Sequence, residues 1–194
     1  MARKAFDQIA SGVGAMLVVV LLVAGGLLIW GYTFANSNVH DQLAQQQIFF
    51  PPKSQIPASM HNTIGPYAGQ QVLTGHQAQV YANNYIGVHL SEMPYHGVYS
   101  KVSAAARAAT PGSPQARQLS ELQTTVFQGT TLRGLLLQAY AFGTIATLLF
   151  WGAIASFVLA ILMLILVAEG IRHARATPHD KPLFANKGGA VPAS

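Results

Sequence analysis

The order of apolar and polar residues divides the chain into three stretches. Ala10 to Tyr32 is a run of 23 residues without a charged side chain. A helix rising 1.5 Å per residue over that length crosses a hydrocarbon core of about 30 Å. A second uncharged run, Gly134 to Ala168, has 35 residues and as one helix would reach about 52 Å, more than a bilayer needs. Its polar residues Gln138, Tyr140, Thr144 and Thr147 come early, and Phe157 to Ala168 is almost purely aliphatic. The crossing portion is therefore placed at residues 146–168.

Helical signals continue beyond both runs. No proline interrupts Met1 to Gln47, so the first helix is expected to project past Tyr32 until Pro51-Pro52 stops it. A break at Asn36 is the alternative, and Asn38 would then cap a second short helix. Phe49-Phe50 follows as an aromatic pair expected to be buried. Pro57, Gly65-Pro66 and Gly69 make residues 53–73 loop and turns. Thr74-Gly75-His76-Gln77 has the spacing of a capping box. The helix it starts presents Ala78, Tyr81, Tyr85 and Val88 on one face before Pro94 ends it. Tyr99, Val102 and Ala106 suggest another short helix, and Ser113-Pro114 suits the cap and first position of the next. Leu119, Leu122 and Val126 line that helix, and nothing stronger than Gly129 and Gly134 separates it from the second apolar run. No alternating strand pattern and no repeat is present.

The reading is an all-α membrane protein with two transmembrane helices extended into a helical extracytoplasmic domain. Its parts are a cytoplasmic N-terminus (1–9), a first span (10–32), an outer domain (33–145), a second span (146–168) and a cytoplasmic basic tail (169–194) expected to be disordered. Orientation follows from the cations, since Lys and Arg concentrate on cytoplasmic flanks. Arg3 and Lys4 precede the first run, and Arg172, Arg175, Lys181 and Lys187 follow the second. Both termini are thus placed on the cytoplasmic side of a plasma membrane. A cleaved secretory signal is the competing account of the N-terminus. Its apolar region would normally cover about 7 to 15 residues, which this run exceeds.

Composition agrees with a chain solvated partly by lipid. Of 194 residues 51% are hydrophobic and 9% charged, where a soluble domain carries about a quarter charged. The net charge of +5 is accounted for by the six cations flanking the runs, so no nucleic-acid partner is expected. With no cysteine, disulfides, thiolate metal sites and a cysteine nucleophile are excluded.

Candidate chemistry is sparse. His40, His61, His76, His89 and His96 fall in the middle segment, and imidazole is a common metal ligand. No two of them stand four apart, and Asp41, Glu92 and Glu121 are the acids there. His89 and Glu92 are three apart on one helix, the reverse of a carboxylate-x-x-imidazole pair. No nucleophile elbow or phosphate-cradling glycine loop occurs. No catalytic residue, cofactor or metal ligand is therefore assigned, and an enzyme is not expected. Small residues in the apolar runs are more informative, because helices in lipid pack where backbones approach closely. Gly152, Ser156 and Ala160 recur every four residues, as do Ala10 with Gly14 and Ser11 with Ala15. Gly14, Gly152, Ser156 and Ala160 are the candidate helix contacts. Phe49, Phe50, Tyr81 and Tyr85 are the candidate apolar surface for a ligand or partner, and Glu169 is read as an interfacial residue paired with Arg172 or His173.

Arg3-Lys4, the block Gln47 to Pro51, Tyr81 to Leu90 and Thr131 to Phe142 together resemble a family of small actinobacterial membrane proteins, over nearly the whole chain up to about Arg175. The resemblance implies the two-span topology. Some members carry an automatic label of aromatic ring-opening dioxygenase, which implies a soluble iron enzyme. Neither that architecture nor ligands at facial-triad spacing are present, so the activity is not carried over. Three functions are expected in descending order. The first is a non-catalytic accessory or scaffold subunit of a larger respiratory or cell-envelope complex, its partners being membrane lipid and other integral membrane subunits. The second is a stand-alone outer module binding a lipid, quinone or other hydrophobic molecule. The third is a metal-dependent membrane enzyme.

Overall fold

The computed structural model describes residues 3–176; the tail from Thr177 onward lies outside them. Five α-helices follow one another: α1 (Arg3–Gln46), α2 (Gly75–Tyr81), α3 (Gly87–Glu92), α4 (Tyr99–Ala108) and α5 (Pro114–Ala176). Among the described residues there is no strand; Phe49 and Gln71 form an isolated antiparallel bridge. The chain divides into two compact units, Met1–Trp30 with Leu149–Ser194, and Gly31–Leu148.

In the first unit, α1 and α5 lie antiparallel along a narrow seam. Contacts pair Ser11 with Gly170, Gly14 with Val167, Gly25 with Phe157 and Leu28 with Gly152, so one number falls as the other rises. Gly14, Val18, Leu21, Gly25 and Leu28 are spaced by alternating fours and threes. On α5, Ala153, Ser156, Ala160 and Val167 are buried. This is a heptad repeat, in which a period near 3.5 keeps one stripe against its partner. The Ser156 hydroxyl donates to the Leu21 carbonyl at 2.7 Å across the seam. Most of what lies off the seam is apolar and open, with Met16 71% and Leu166 65% exposed. Only 17% of the most apolar stretch of α1 and 22% of that of α5 is buried, and both helices are long and apolar enough to cross a membrane. A core helix of a soluble protein would be mostly covered.

The second unit has an ordinary core. Val39, Leu43, Phe50, Ile56, Met60, Ile64, Val72, Ala78, Ala82 and Leu136 are buried together. Asn36 does not break α1. The Asn38 amide donates instead to the Phe34 carbonyl four residues back at 3.0 Å, so its side chain satisfies the helix rather than capping a new one. The helix ends at Gln46, with Gln47 at φ 49°. The Gln71 amide, 27 residues away, supplies a donor to the Ala44 carbonyl at 2.9 Å, covering one of the acceptors a helix terminus leaves open.

Residues 53–73 fold as three single 3-10 turns, Lys53–Gln55, Ala58–Met60 and Gly65–Tyr67. Phe50 N–H donates to Gln70 and Val72 N–H to Ile48, which closes the loop and brings Ile56, Met60 and Ile64 inside. Thr74 and Gln77 form the full capping box of α2. Gly75 behind it docks on α5, where a Cβ would come within 2.9 Å of the Ala139 carbonyl and 3.2 Å of Gly143 Cα. Ser113 Oγ accepts from Ala116 N–H at 3.1 Å, and α5 begins at Pro114. Polar residues within α5 are neutralised locally. Thr124, Thr125, Thr130, Thr144 and Thr147 each donate to the carbonyl four residues back.

Candidate functional site

The site is built around the segment joining α2 to α3. Sequence periodicity makes this one regular helix, but Ala82–Ile86 is a π-helical turn. One extra residue in the turn widens the ring and re-aims the side chains that follow, and such bulges are frequent at functional sites. Tyr67, Phe50, Tyr81, Tyr85 and His89 form a continuous aromatic chain through it. Centroid separations are 5.2, 5.2, 4.9 and 4.5 Å in that order, all in the range of favourable ring contacts. His89 Nδ1–H donates to the Tyr85 carbonyl at 2.7 Å. That bond takes up a carbonyl at the distorted turn.

Beside the end of this chain lies a groove of about 300 Å³ lined by Tyr85, Ile86, His89, Leu90, Met93 and, from α5, Leu132 among others. Its walls are apolar apart from the His89 ring and the side chains of Thr125 and Gln128. Leu90 seats directly on Gly129, where a Cβ would lie 2.9 Å from Leu90 Cδ2. A groove of this size and lining suits part of a hydrophobic molecule.

The four aromatic candidates separate. Tyr85 lines the groove, and Tyr81 is half-buried beside it in the aromatic chain. Phe50 is 1% exposed in the core, whereas Phe49 is 53% exposed. The pair is not buried as a unit, because extended backbone sends successive side chains to opposite faces and the bridge at Phe49 fixes which goes in. The four small-residue candidates meet at the seam of the first unit. Gly14 lies against Val167 and Met163, Gly152 against Leu28, and Ser156 and Ala160 are buried. Glu169 pairs with Arg172 at 2.8 Å on an exposed face. The histidines are dispersed: His61 Nε2–H donates to the Ile56 carbonyl at 2.8 Å, His76 meets the Tyr67 ring edge-on, and His40 is exposed. No three His, Cys, Asp or Glu side chains converge among the described residues. The π turn and the contributions of α5 to the groove were not legible in the sequence; Gly129, open to the Leu90 side chain, was the one available signal.

Burial, and then the neighbouring Tyr85, raise the Tyr81 phenol above its ordinary value of 10. The neutral form is thus favoured in the folded state. Its contribution is complete below pH 10, where Tyr81 is protonated in the unfolded chain too, and is lost as pH rises through the higher folded value. Wild type should therefore lose more stability above pH 10 than Tyr81→Phe, read by thermal unfolding across alkaline pH. Equal slopes for the two proteins would contradict the assignment.

No family model, curated protein or solved structure matches the chain.

Proposed function

We propose that this is a two-span plasma-membrane protein with cytoplasmic termini, whose unit Gly31–Leu148 lies outside the cytoplasm as a non-catalytic module binding a lipid, quinone or other hydrophobic molecule. The observation that carries the binding reading is the apolar groove beside Tyr85, set against a π turn. Membrane insertion draws support from the apolar exterior of the α1–α5 pair, which in water would expose far more than the few hundred Å² of contiguous apolar surface usual for a soluble monomer. The cations at Arg172 and Arg175 favour this orientation. The alternative is an accessory subunit of a larger membrane complex. Exposed Phe49 favours it, but the small-residue stripe does not, because Gly14, Gly152, Ser156 and Ala160 are spent on the chain's own helix pair.

Two measurements test this. The chain has no cysteine, so single cysteines report topology cleanly. A membrane-impermeant maleimide should label Phe49→Cys in intact cells and Ile171→Cys only after permeabilisation; the reverse pattern overturns the orientation. Mass spectrometry of the full chain in mild detergent should find a bound lipid or quinone that Leu132→Trp, which fills the groove, displaces. Stoichiometric membrane proteins with no small ligand would instead support the subunit.

A further inference from the structure

The other side of α3 carries a second groove, of about 410 Å³, lined by Asn83, Gly87, His96, Thr130 and Arg133 among others. It is more polar than the first, although Val88, Leu90 and Val98 also line it. None of its described lining residues is acidic, yet it holds a half-buried guanidinium. Arg133 Nη2 donates to Asn83 Oδ1 at 3.0 Å. Its Nε–H is shielded and has no partner. An unmet donor is costly, and a guanidinium is readily matched by an anion. Gly87 lies beside the guanidinium, where a Cβ would stand in ordinary contact at 3.5 Å from Arg133 Nε.

The neighbouring backbone is strained toward the same groove. Tyr95 (φ 58°, ψ 21°) and His96 (φ 54°, ψ 32°) are both left-handed. Neither is glycine, asparagine or aspartate, and each such residue costs roughly 1–3 kcal/mol. Gly97 follows at φ 61° against the Leu90 carbonyl, with no space for a side chain. The result places His96 on the groove wall, its Nδ1 directed at the Ser91 carbonyl at a long 3.4 Å. The Ser91 and Thr130 hydroxyls are turned away, donating to the Val88 and Val126 carbonyls. The groups left to meet a ligand are the remaining guanidinium N–H groups and the Asn83 amide nitrogen.

We propose that this groove is an oxyanion site that takes a phosphate group, with Arg133 as its principal ligand and Asn83 as a flanking donor. The guanidinium fork matches phosphate geometry and forms charge-assisted bonds. The assignment is independent of what the apolar groove binds. The phosphate could belong to a free metabolite or to a phospholipid headgroup, and the test separates them.

The full chain in a maltoside detergent, which carries no phosphate, is titrated with inorganic phosphate at constant ionic strength, chloride making up the balance. Thermal midpoint and the Arg Nε–H resonances in a proton–nitrogen correlation spectrum are followed. A saturable rise in midpoint with movement of one Arg Nε–H signal is expected, weakened at least about tenfold in Arg133→Gln and less in Arg133→Lys. Asn83→Leu, which leaves the cation in place, should weaken it by a smaller factor and covers the case in which Arg133→Gln does not fold. A response to phosphatidylglycerol but not to inorganic phosphate assigns the group to a lipid headgroup. No saturable response to either, or one unchanged in both Arg133→Gln and Asn83→Leu, overturns the proposal.

Discussion

Phe50→Ala is expected to destabilise the unit Gly31–Leu148 by about 3–5 kcal/mol, the range for truncating a fully buried aromatic ring. The side chain is 1% exposed, stacked on Tyr67 and meeting Tyr81 edge-on. Truncation removes both ring contacts and leaves a cavity between the 3-10 loop and α2, which Ile56, Met60 and Ile64 also join in the same core. Because Tyr81 in turn contacts Tyr85, the loss should propagate to the apolar groove and lower its ligand occupancy as well. Phe49→Ala is the matched control. Its ring is 53% exposed, so a change within about 0.5 kcal/mol is expected. Thermal unfolding of both variants, followed by circular dichroism, decides the matter. A larger loss from Phe49→Ala than from Phe50→Ala would mean that the alternation at residues 49 and 50 runs the other way, and equal losses would mean that the two rings are not divided between inside and outside.

That pair illustrates how far the sequence can be read. Features written in a few adjacent residues were legible: the Thr74–Gln77 capping box, the Ser113–Pro114 start of α5, and two long helices without internal proline. Which of Phe49 and Phe50 turns inward depends on Gln71, whose pairing sets the face and lies more than twenty residues away. The end of α1 is likewise completed by the Gln71 amide on Ala44, and α2 is seated by Gly75 against Gly143. Local pattern carries no trace of such partners. The π turn at Ala82–Ile86 shifts a helical register by one residue without a proline or glycine pair to announce it. The left-handed pair Tyr95–His96 places a bulky tyrosine, a residue type that rarely takes that conformation, beside a histidine that takes it more readily. Strain of this kind is imposed by the surroundings and has no signature of its own.

The seam of the first unit was hidden for a different reason. Periodicity is detected by contrast, and a run that is apolar all round has none. Only residue size varies along Ala10 to Tyr32, so Gly14 could be noticed while Val18 and Leu21, which share its face, could not. The four-residue stripe of Gly152, Ser156 and Ala160 does fall on the seam. The full set, however, follows the alternation of threes and fours that holds two helices together over several turns.

This register yields the largest all-or-none effect. Gly14→Cys with Val167→Cys should form a disulfide in high yield, whereas Gly12→Cys with Val167→Cys should not. A Cβ at Gly14 lies 4.0 Å from Val167 Cβ, and one at Gly170 lies 4.0 Å from Ser11 Cβ, both inside the roughly 3.5–4.5 Å a disulfide requires. A Cβ at Gly12 has nothing within 4 Å. The single Gly14→Cys change would meet Val167 Cγ2 at 2.6 Å, but Val167→Cys removes that methyl, so the double variant relieves the clash its first member creates. Gly14→Leu has no such relief and should destabilise the helix pair by at least about 1–3 kcal/mol. Successive helix positions are 100° apart, so moving one cysteine by two residues turns it to nearly the opposite face. Cross-linking is read as a mobility shift on a denaturing gel before and after reduction. Ser11→Cys with Gly170→Cys provides a second point one turn away. Both designed pairs closing while the Gly12 pair stays open fixes the antiparallel register; efficient closure of the Gly12 pair, or failure of both designed pairs, would require α1 and α5 to meet along a different stripe.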